Sequence, residues 1–220
     1  MPRSLRAITW MGWLFVVGSA CFAAGVPVSQ VQSLAPTVAA AIFFIGSIFF
    51  TSASTVQMRL AWVAIPSARR TTWQRLLDVR DYDWSSAVVQ WVGTIFFNAT
   101  TLAALIQVAG TRSVSDQVVW RPDAIGSILF LVSSAIALTP EARKARHEHV
   151  RGRSWAIAAL NMLGSIFFGI SAVGAWVVPD TDEVLNSVWA NGGTFLGAVC
   201  FLIGAWLIIP SRQTTAATTG

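Results

Sequence analysis

Charged residues are scarce in this chain of 220 residues, and they are missing from its long apolar runs. Asp, Glu, Lys and Arg make up 11% of the sequence, whereas soluble domains carry roughly 25%. A soluble protein with buried helices would need amphipathic polar faces, and the runs lack them. Because backbone groups in lipid must be paired within their own segment, each run is expected to be a helix. The six runs of sufficient length are about 8–27, 36–57, 86–108, 124–139, 154–178 and 187–209.

The lack of ionisable residues well inside these runs also bears on function. Charge at membrane depth marks pumps, proton relays and voltage sensors. We therefore expect no ion-coupled transport through a buried carboxylate. The most polar interior residues are Asn98 and Asn161, for which an interhelical hydrogen bond is the simplest role and a substrate-binding amide the alternative.

Cysteine and histidine are rare, and the common catalytic motifs are missing. The two cysteines, Cys21 and Cys200, form no Cys-x-x-Cys pair, and both histidines lie in one basic loop. The sequence contains no Gly-x-Ser-x-Gly elbow, His-Glu-x-x-His helix, phosphate loop or dinucleotide fingerprint. It therefore predicts no catalytic residue, no metal site and no cofactor, and indicates that the chain is not an enzyme.

One short phrase recurs once in each apolar run. A glycine is followed by Ser, Thr or Ala, and a phenylalanine stands four positions after the glycine. The six copies are Gly18–Phe22, Gly46–Phe50, Gly93–Phe97, Gly126–Phe130, Gly164–Phe168 and Gly197–Phe201. Recurrence of this kind indicates one helical building block used repeatedly.

The phrase favours tight helix packing. Glycine lets two helix backbones approach closely, and a neighbouring hydroxyl can bond across the interface. The phenylalanine lies about one turn further along nearly the same face. A ring of one helix can therefore fill the notch, the space beside a glycine of another helix. The residues assigned to packing are Gly18, Ser19, Gly46, Ser47, Gly93, Thr94, Gly126, Ser127, Gly164, Ser165, Gly193 and Gly197.

The alternative is a polar path through the membrane, because hydroxyl and amide groups can coordinate water or small solutes. Such a path would draw on the same phrase hydroxyls and on further polar residues of the runs. The additional candidates for this path are Thr51, Asn98, Thr101 and Asn161.

Basic residues alternate between the connections and predict the orientation. Thirteen of the fifteen lie in the two terminal segments and in the loops 58–85 and 140–153, against two on the other side. By the positive-inside rule both termini are cytoplasmic. The loop 58–85 is either an interfacial amphipathic helix over part of its length or a solvated basic loop, and 211–220 is a flexible tail.

These loops also suggest the electrostatic partner. Clustered arginines favour anionic lipid headgroups on the cytoplasmic side, and nothing in the sequence calls for nucleic acid. The residues expected at headgroups are Arg69, Arg70, Arg75, Arg143, Lys144, Arg146, Arg151 and Arg153.

The phrases Gly126–Ser134 and Gly164–Ser171 resemble the YrhK-like domain of bacterial membrane proteins, which is built from short paired spans with Gly-Ser-x-x-Phe signatures. The resemblance extends over most of the chain as repeated units, although the long loop 58–85 departs from a simple two-span unit. It implies a location in the bacterial inner membrane. It implies no established activity, so no functional residue is carried over.

The sequence thus predicts an all-α polytopic membrane protein, a compact bundle of six transmembrane helices with internal repeats. The leading hypothesis for function is a non-enzymatic structural or interaction component that packs with itself or with another membrane protein through its Gly-Ser faces. The alternative is an uncoupled channel or small-solute transporter lined by Ser, Thr and Asn98. A water-accessible central cavity would support the alternative, and a dry core filled by rings would remove it. A lipid-modifying enzyme ranks last.

Overall fold

Six long helices make up almost all of the structure, a computed structural model that describes residues 3–31, 35–65, 81–110, 115–178 and 183–210. The two short strands pair as an antiparallel hairpin between α5 and α6. The elements are α1 (Arg3–Ser29), α2 (Pro36–Ala64), α3 (Tyr82–Val108), α4 (Asp116–Glu148), α5 (Arg153–Gly174), β1 (Val177–Val178), β2 (Glu183–Val184) and α6 (Ser187–Ile208). The all-α prediction is confirmed.

The helices form a closed ring. Each packs against its neighbours in sequence, most extensively within the hairpins α1–α2, α3–α4 and α5–α6, and the contact between α1 and α6 closes the circle. Successive helices are antiparallel. We call the end where α1 begins and α6 ends the terminus end, and the opposite end, which carries β1 and β2, the strand end.

Each of the six helices is long and apolar enough to cross a membrane. The ring exposes large aliphatic side chains on its outer surface, among them Ile45, Ile128 and Ile203. A continuous apolar exterior of this kind is stable in lipid and not in water. The chain is therefore a multi-pass integral membrane protein.

Helix α4 is much longer than the predicted span 124–139. It runs from Asp116 to Glu148 and holds Pro122 and Pro140, which flank the predicted span, within it. The hydroxyl of Thr139 donates to the carbonyl of Ala135 at 2.8 Å, as in a helix interior. A proline costs less in a membrane helix, because neighbouring groups re-pair the freed carbonyl.

Helix α5 is shorter than its predicted span 154–178. It ends at Gly174, and after two further residues the chain forms β1, where Val177 pairs with Val184. The backbone of Gly174 is fixed from both sides: its carbonyl accepts from the amide of Asn186 at 2.9 Å, and an added Cβ would lie 2.6 Å from the nitrogen of Ala190. A side chain at this position would push α6 away from α5.

Three predicted features lie outside the described residues. Arg69, Arg70 and Arg75 belong to the stretch 66–80, which also contains most of the suggested interfacial helix, and the predicted tail 211–220 lies outside as well.

Candidate functional site

Inside each hairpin the two phrase glycines face each other. A Cβ added at Gly164 would lie 3.1 Å from the carbonyl oxygen of Gly197, and one added at Gly197 would lie 3.0 Å from that of Gly164. The hairpins α1–α2 and α3–α4 repeat this arrangement with Gly18 against Gly46 and Gly93 against Gly126. Each glycine also lies against the phrase phenylalanine of its partner helix, so a ring fills each notch.

The six phrase phenylalanines meet on the axis of the ring as two stacked triangles. Phe22, Phe97 and Phe168 form one triangle, with centroid distances of 5.6 to 6.5 Å. The second triangle, with distances of 5.8 to 6.3 Å, consists of Phe50, Phe130 and Phe201. Within each hairpin the rings of the two triangles are 4.9 to 5.6 Å apart. We call these six residues the aromatic plug.

Chain direction explains why there are two triangles. In α1, α3 and α5 the phenylalanine follows its glycine toward the strand end, and in the other three helices toward the terminus end. Four residues advance about 6 Å along a helix, so the rings divide evenly above and below the level of the glycines. The three hairpins are thereby related by a pseudo-threefold axis through the plug.

A cavity lies on each side of the plug. The terminus-end cavity, about 500 Å³, has Phe50 and Phe201 on its inner wall and reaches Ala64 and Ser154 at the helix ends. The strand-end cavity, also about 500 Å³, has Phe22, Phe97 and Phe168 on its inner wall and reaches Ser29, Pro36 and Val184. All six helices contribute to both cavities, so the axis consists of two cavities with a constriction between them.

The residue three positions before each phrase glycine lines a cavity. It stands seven positions before the plug phenylalanine, which is about two turns and hence on the same helix face. On the terminus side these residues are Phe15, Gln90 and Asn161. On the strand side they are Phe43, Asp123 and Thr194. The hairpin α1–α2 is thus apolar here, and the other two hairpins are polar.

Every ionisable residue in the described lining of the two cavities is an acid. Asp83 and Glu141 line the terminus-end cavity, and Asp123 lines the strand-end cavity. The basic residues of the described ranges lie elsewhere, although the chain as a whole carries a net charge of +5. The electrostatic character of the axis is therefore opposite in sign to that of the protein.

The position of Asp123 corrects the sequence analysis, which placed no acid well inside a span. That conclusion depended on a span beginning at residue 124. Because α4 begins at Asp116, Asp123 lies only about 4.5 Å along the helix from Gly126, near the level where the helices cross. It is half-buried, and among the described residues none donates a hydrogen bond to its carboxylate.

The phrase hydroxyls are buried between helices, and none of these side chains is more than 2% exposed. Ser47 contacts the hydroxyl of Thr101 at 2.9 Å between α2 and α3, and Ser165 contacts that of Ser134 at 2.8 Å between α4 and α5. Ser127 donates to the carbonyl of Phe168 at 3.4 Å. Thr94 donates within its own helix to Trp91 at 2.7 Å. Ser19 is buried with no hydrogen-bond partner among the described residues.

Gly193 lies at the α5–α6 interface about one turn of α6 before Gly197. A Cβ added there would lie 2.6 Å from the carbonyl oxygen of Phe167 and 2.7 Å from the nitrogen of Ser171. Ser171 in turn contacts the hydroxyl of Thr194 at 2.7 Å. The close approach of these two backbones requires glycine at position 193.

The four additional polar-path candidates separate into two pairs. Thr101 lines the strand-end cavity and Asn161 the terminus-end cavity. Thr51 and Asn98 belong to neither lining: the amide of Asn98 donates to the hydroxyl of Thr51 at 2.8 Å between α2 and α3. The structure thus brings Thr101 and Asn161 to the axis and leaves the other two at a helix interface.

The predicted headgroup residues within the described ranges are all exposed at the terminus end. Arg143 donates to the hydroxyl of Tyr82 at 3.2 Å, and the guanidinium of Arg151 lies 4.5 Å from the ring centre of Trp155. Arg153 donates to the carbonyls of Leu207 and Ile209 at 2.6 and 2.8 Å and so satisfies the end of α6. Lys144 and Arg146 project from the last turns of α4.

Comparison with protein-family models, with curated proteins and with solved structures gave no match to this chain. The resemblance to the YrhK-like domain stays a prediction. Sequence reasoning identified the phrase but missed the plug, the two cavities and Asp123. The spacing of seven between Asp123 and Phe130 was the available signal, since it places both on one helix face.

Proposed function

We propose that the protein is a non-enzymatic membrane transport protein, a channel or permease for a small solute, in a closed conformation. The observation that carries this proposal is the pair of cavities on one axis, separated only by the aromatic plug. A purely structural bundle has no need of two axial cavities with polar residues near their inner walls. At the level of the plug the core is filled by rings, so this conformation has no open path, and the criterion stated above excludes a permanently open channel. The proposal therefore requires the plug to open, as in pores that hydrophobic constrictions gate by excluding water.

The same geometry weakens the hypothesis that the Gly-Ser faces bind partners. All six phrase glycines are buried and pack inside their own hairpins. A partner in the membrane cannot reach them without opening the ring. The phrase therefore serves the internal construction of the bundle.

We retain assembly as a second proposal because Gly169 faces outward. A Cβ on Gly169 would meet no atom within 4 Å, and the residue borders an outer cavity of about 360 Å³ with Ile166, Ile170 and Trp189. If copies of this chain associate through this face, Gly169→Leu will reduce the oligomer mass measured by native mass spectrometry in mild detergent. An unchanged mass would remove the proposal.

The location is proposed from charge. The exposed arginines of the terminus end support an orientation with both termini in the cytoplasm and anionic headgroups as neighbours on that side. The bacterial inner membrane is the membrane implied by the YrhK-like resemblance.

Transport is tested by opening the plug. Phe97 and Phe130 have the closest pair of rings within the plug, so the double substitution Phe97→Ala with Phe130→Ala leaves a gap through both triangles. We expect stopped-flow light scattering of proteoliposomes to show faster entry of at least one of urea, glycerol, choline chloride and sodium chloride. The matched control is Phe195→Ala, which removes a phenylalanine that is exposed on the outer surface.

Folding of the double variant is checked by circular dichroism and by its elution from a sizing column, because each removed ring costs about 3–5 kcal/mol when it leaves an empty cavity. The single substitution Phe130→Ala gives an intermediate case. If the folded variants admit all four solutes no faster than Phe195→Ala does, the axis is not a transport path and the proposal is wrong.

A further inference from the structure

We propose that the strand-end cavity binds a small organic cation, an ammonium group carried on carbon substituents, with Asp123 as its counter-ion. This inference rests on the proposed transport function and specifies its substrate class. Asp123 is the one acid in the described lining of this cavity, and no described residue supplies a positive charge to it. A carboxylate near the middle of a membrane is costly, and such residues normally have a charged partner. A cationic ligand would supply that partner.

The walls of the cavity favour an organic cation over a metal ion. Phe22, Phe97 and Phe168 present rings at its inner wall, and Phe43 and Trp120 add two more. Cations over aromatic faces are attracted by the ring quadrupole, and aromatic cages are a recurrent means of holding substituted ammonium groups. Protein sites for calcium and magnesium usually combine carboxylates with neutral oxygen ligands and water. The described lining of this cavity has one carboxylate besides its hydroxyl and amide groups, and its inner wall is made of rings.

The size and the remaining polar groups agree with this assignment. A cavity of about 500 Å³ is within the range of pockets for small organic molecules. Asn191 and Thr194 line the same space and offer hydrogen-bonding groups for a hydroxyl or an N–H of the ligand. Anions would meet the carboxylate of Asp123, and neutral solutes would leave that charge unpaired.

Trp120 fixes one wall of the cavity beside the acid. Its indole N–H donates to the carbonyl of Ala172 at 2.7 Å, and its ring packs edge-on against Trp176 at 4.3 Å. The aromatic wall is thus already in place before a ligand arrives. Binding a cation there requires little reorganisation, which favours affinity.

The test is direct binding, measured by isothermal titration calorimetry on the purified full chain in detergent. Choline chloride is the probe, 3,3-dimethylbutan-1-ol is its neutral isostere, and sodium chloride controls for ionic strength. We expect choline to bind and the other two not to. Asp123→Asn should weaken choline binding about tenfold or more, since each 1.4 kcal/mol of lost interaction is a factor of ten.

The matched control is Glu183→Gln, which removes an exposed acid at the same end of the bundle and should leave the affinity within about twofold. Asp123→Asn keeps the shape of the side chain and removes a half-buried charge that lacks a partner among the described residues, so it should fold at least as well as the parent protein. Equal choline affinity in Asp123→Asn and the parent would overturn the inference. Equal binding of the neutral isostere, or no choline binding at all, would overturn it as well.

Two further arms complete the experiment. An ammonium group is also present on lipid headgroups, so native mass spectrometry is run with added phosphatidylethanolamine. Retention by the parent protein and not by Asp123→Asn assigns the headgroup as a source, and choline binding without lipid retention assigns a free organic cation. Binding and flux are measured in separate experiments. A lack of choline binding would overturn this inference and leave the flux result of the plug variants unaffected. A lack of flux would overturn the proposed function and leave a measured choline affinity unaffected.

Discussion

Glycine at the hairpin crossings permits close packing because it has no side chain. At Gly197 an added Cβ would lie 2.5 Å from the ring of Phe168 and 3.0 Å from the carbonyl oxygen of Gly164. The ring belongs to the plug and the carbonyl to a helix backbone, so neither can move without disturbing the packing around it. Interior packing is dense enough that a single methyl group is felt.

Gly197→Ala is therefore expected to destabilise the protein by about 1–3 kcal/mol, the usual cost of overpacking. The control lies in the same helix: Gly192→Ala, where an added Cβ meets nothing within 4 Å, should raise stability by up to about 1 kcal/mol through helix propensity. Thermal unfolding in detergent, followed by circular dichroism, measures both. If both substitutions shift the midpoint in the same direction, the account of Gly197 is wrong.

At the scale of helices, the interfaces between hairpins are built differently from one another. The contact of α4 with α5 carries the hydroxyl pair Ser134 and Ser165, and that of α2 with α3 carries Ser47 and Thr101. At the closing contact of α1 with α6 the equivalent positions are Ser19 and Ala205. Ser19 finds no hydrogen-bond partner there among the described residues.

These differences predict opposite responses to the same substitution. Ser134→Ala should destabilise the bundle by about 0.6 kcal/mol, the average measured for interhelical hydrogen bonds in membranes, and by at most about 1.7 kcal/mol. Ser19→Ala should be neutral or stabilising, because it removes a buried hydroxyl that lacks a partner. Unfolding in a denaturing detergent titration provides the comparison. A greater loss for Ser19→Ala than for Ser134→Ala would contradict the described interfaces.

Helix lengths show where the sequence was sufficient at this scale. The predicted span 187–209 differs by one residue from α6, because Asn186 caps the start by accepting from the amide of Trp189 and an apolar run follows without interruption. The prediction for α4 was poor, because Pro122 and Pro140 resemble helix ends when only the sequence is considered. Neighbouring helices decide whether a proline ends a membrane helix.

At the scale of the whole molecule, the ring separates two kinds of charge. Arginines gather on the outside of the terminus end, whereas the acids Asp83, Glu141 and Asp123 line the axis. The positive charge of the exterior bears on the orientation of the protein in the membrane and on its contact with lipid headgroups. The axial charge bears on which solutes the proposed transport path would accept.

The proposed orientation gives a whole-molecule prediction. With the terminus end in the cytoplasm, a green fluorescent protein fused after residue 220 should be fluorescent in bacterial cells, and alkaline phosphatase fused at the same point should be inactive. The same pair of reporters fused within the strand hairpin, between Val178 and Glu183, should give the reverse result. Active phosphatase at the C-terminus would refute the orientation.

The sequence by itself determined the six helices and the glycines at which the two helices of each hairpin cross. Apolar length fixes the number of spans, and glycine beside a ring fixes a packing face, so both are local properties that the sequence displays. Only the tertiary structure decided that six rings would close on one axis, that a cavity would remain on each side, and that Asp123 would line one of them. The physical reason is that an axis belongs to no single helix: it arises where six faces meet, and the lining of each cavity depends on the lengths and directions of helices far apart in the sequence.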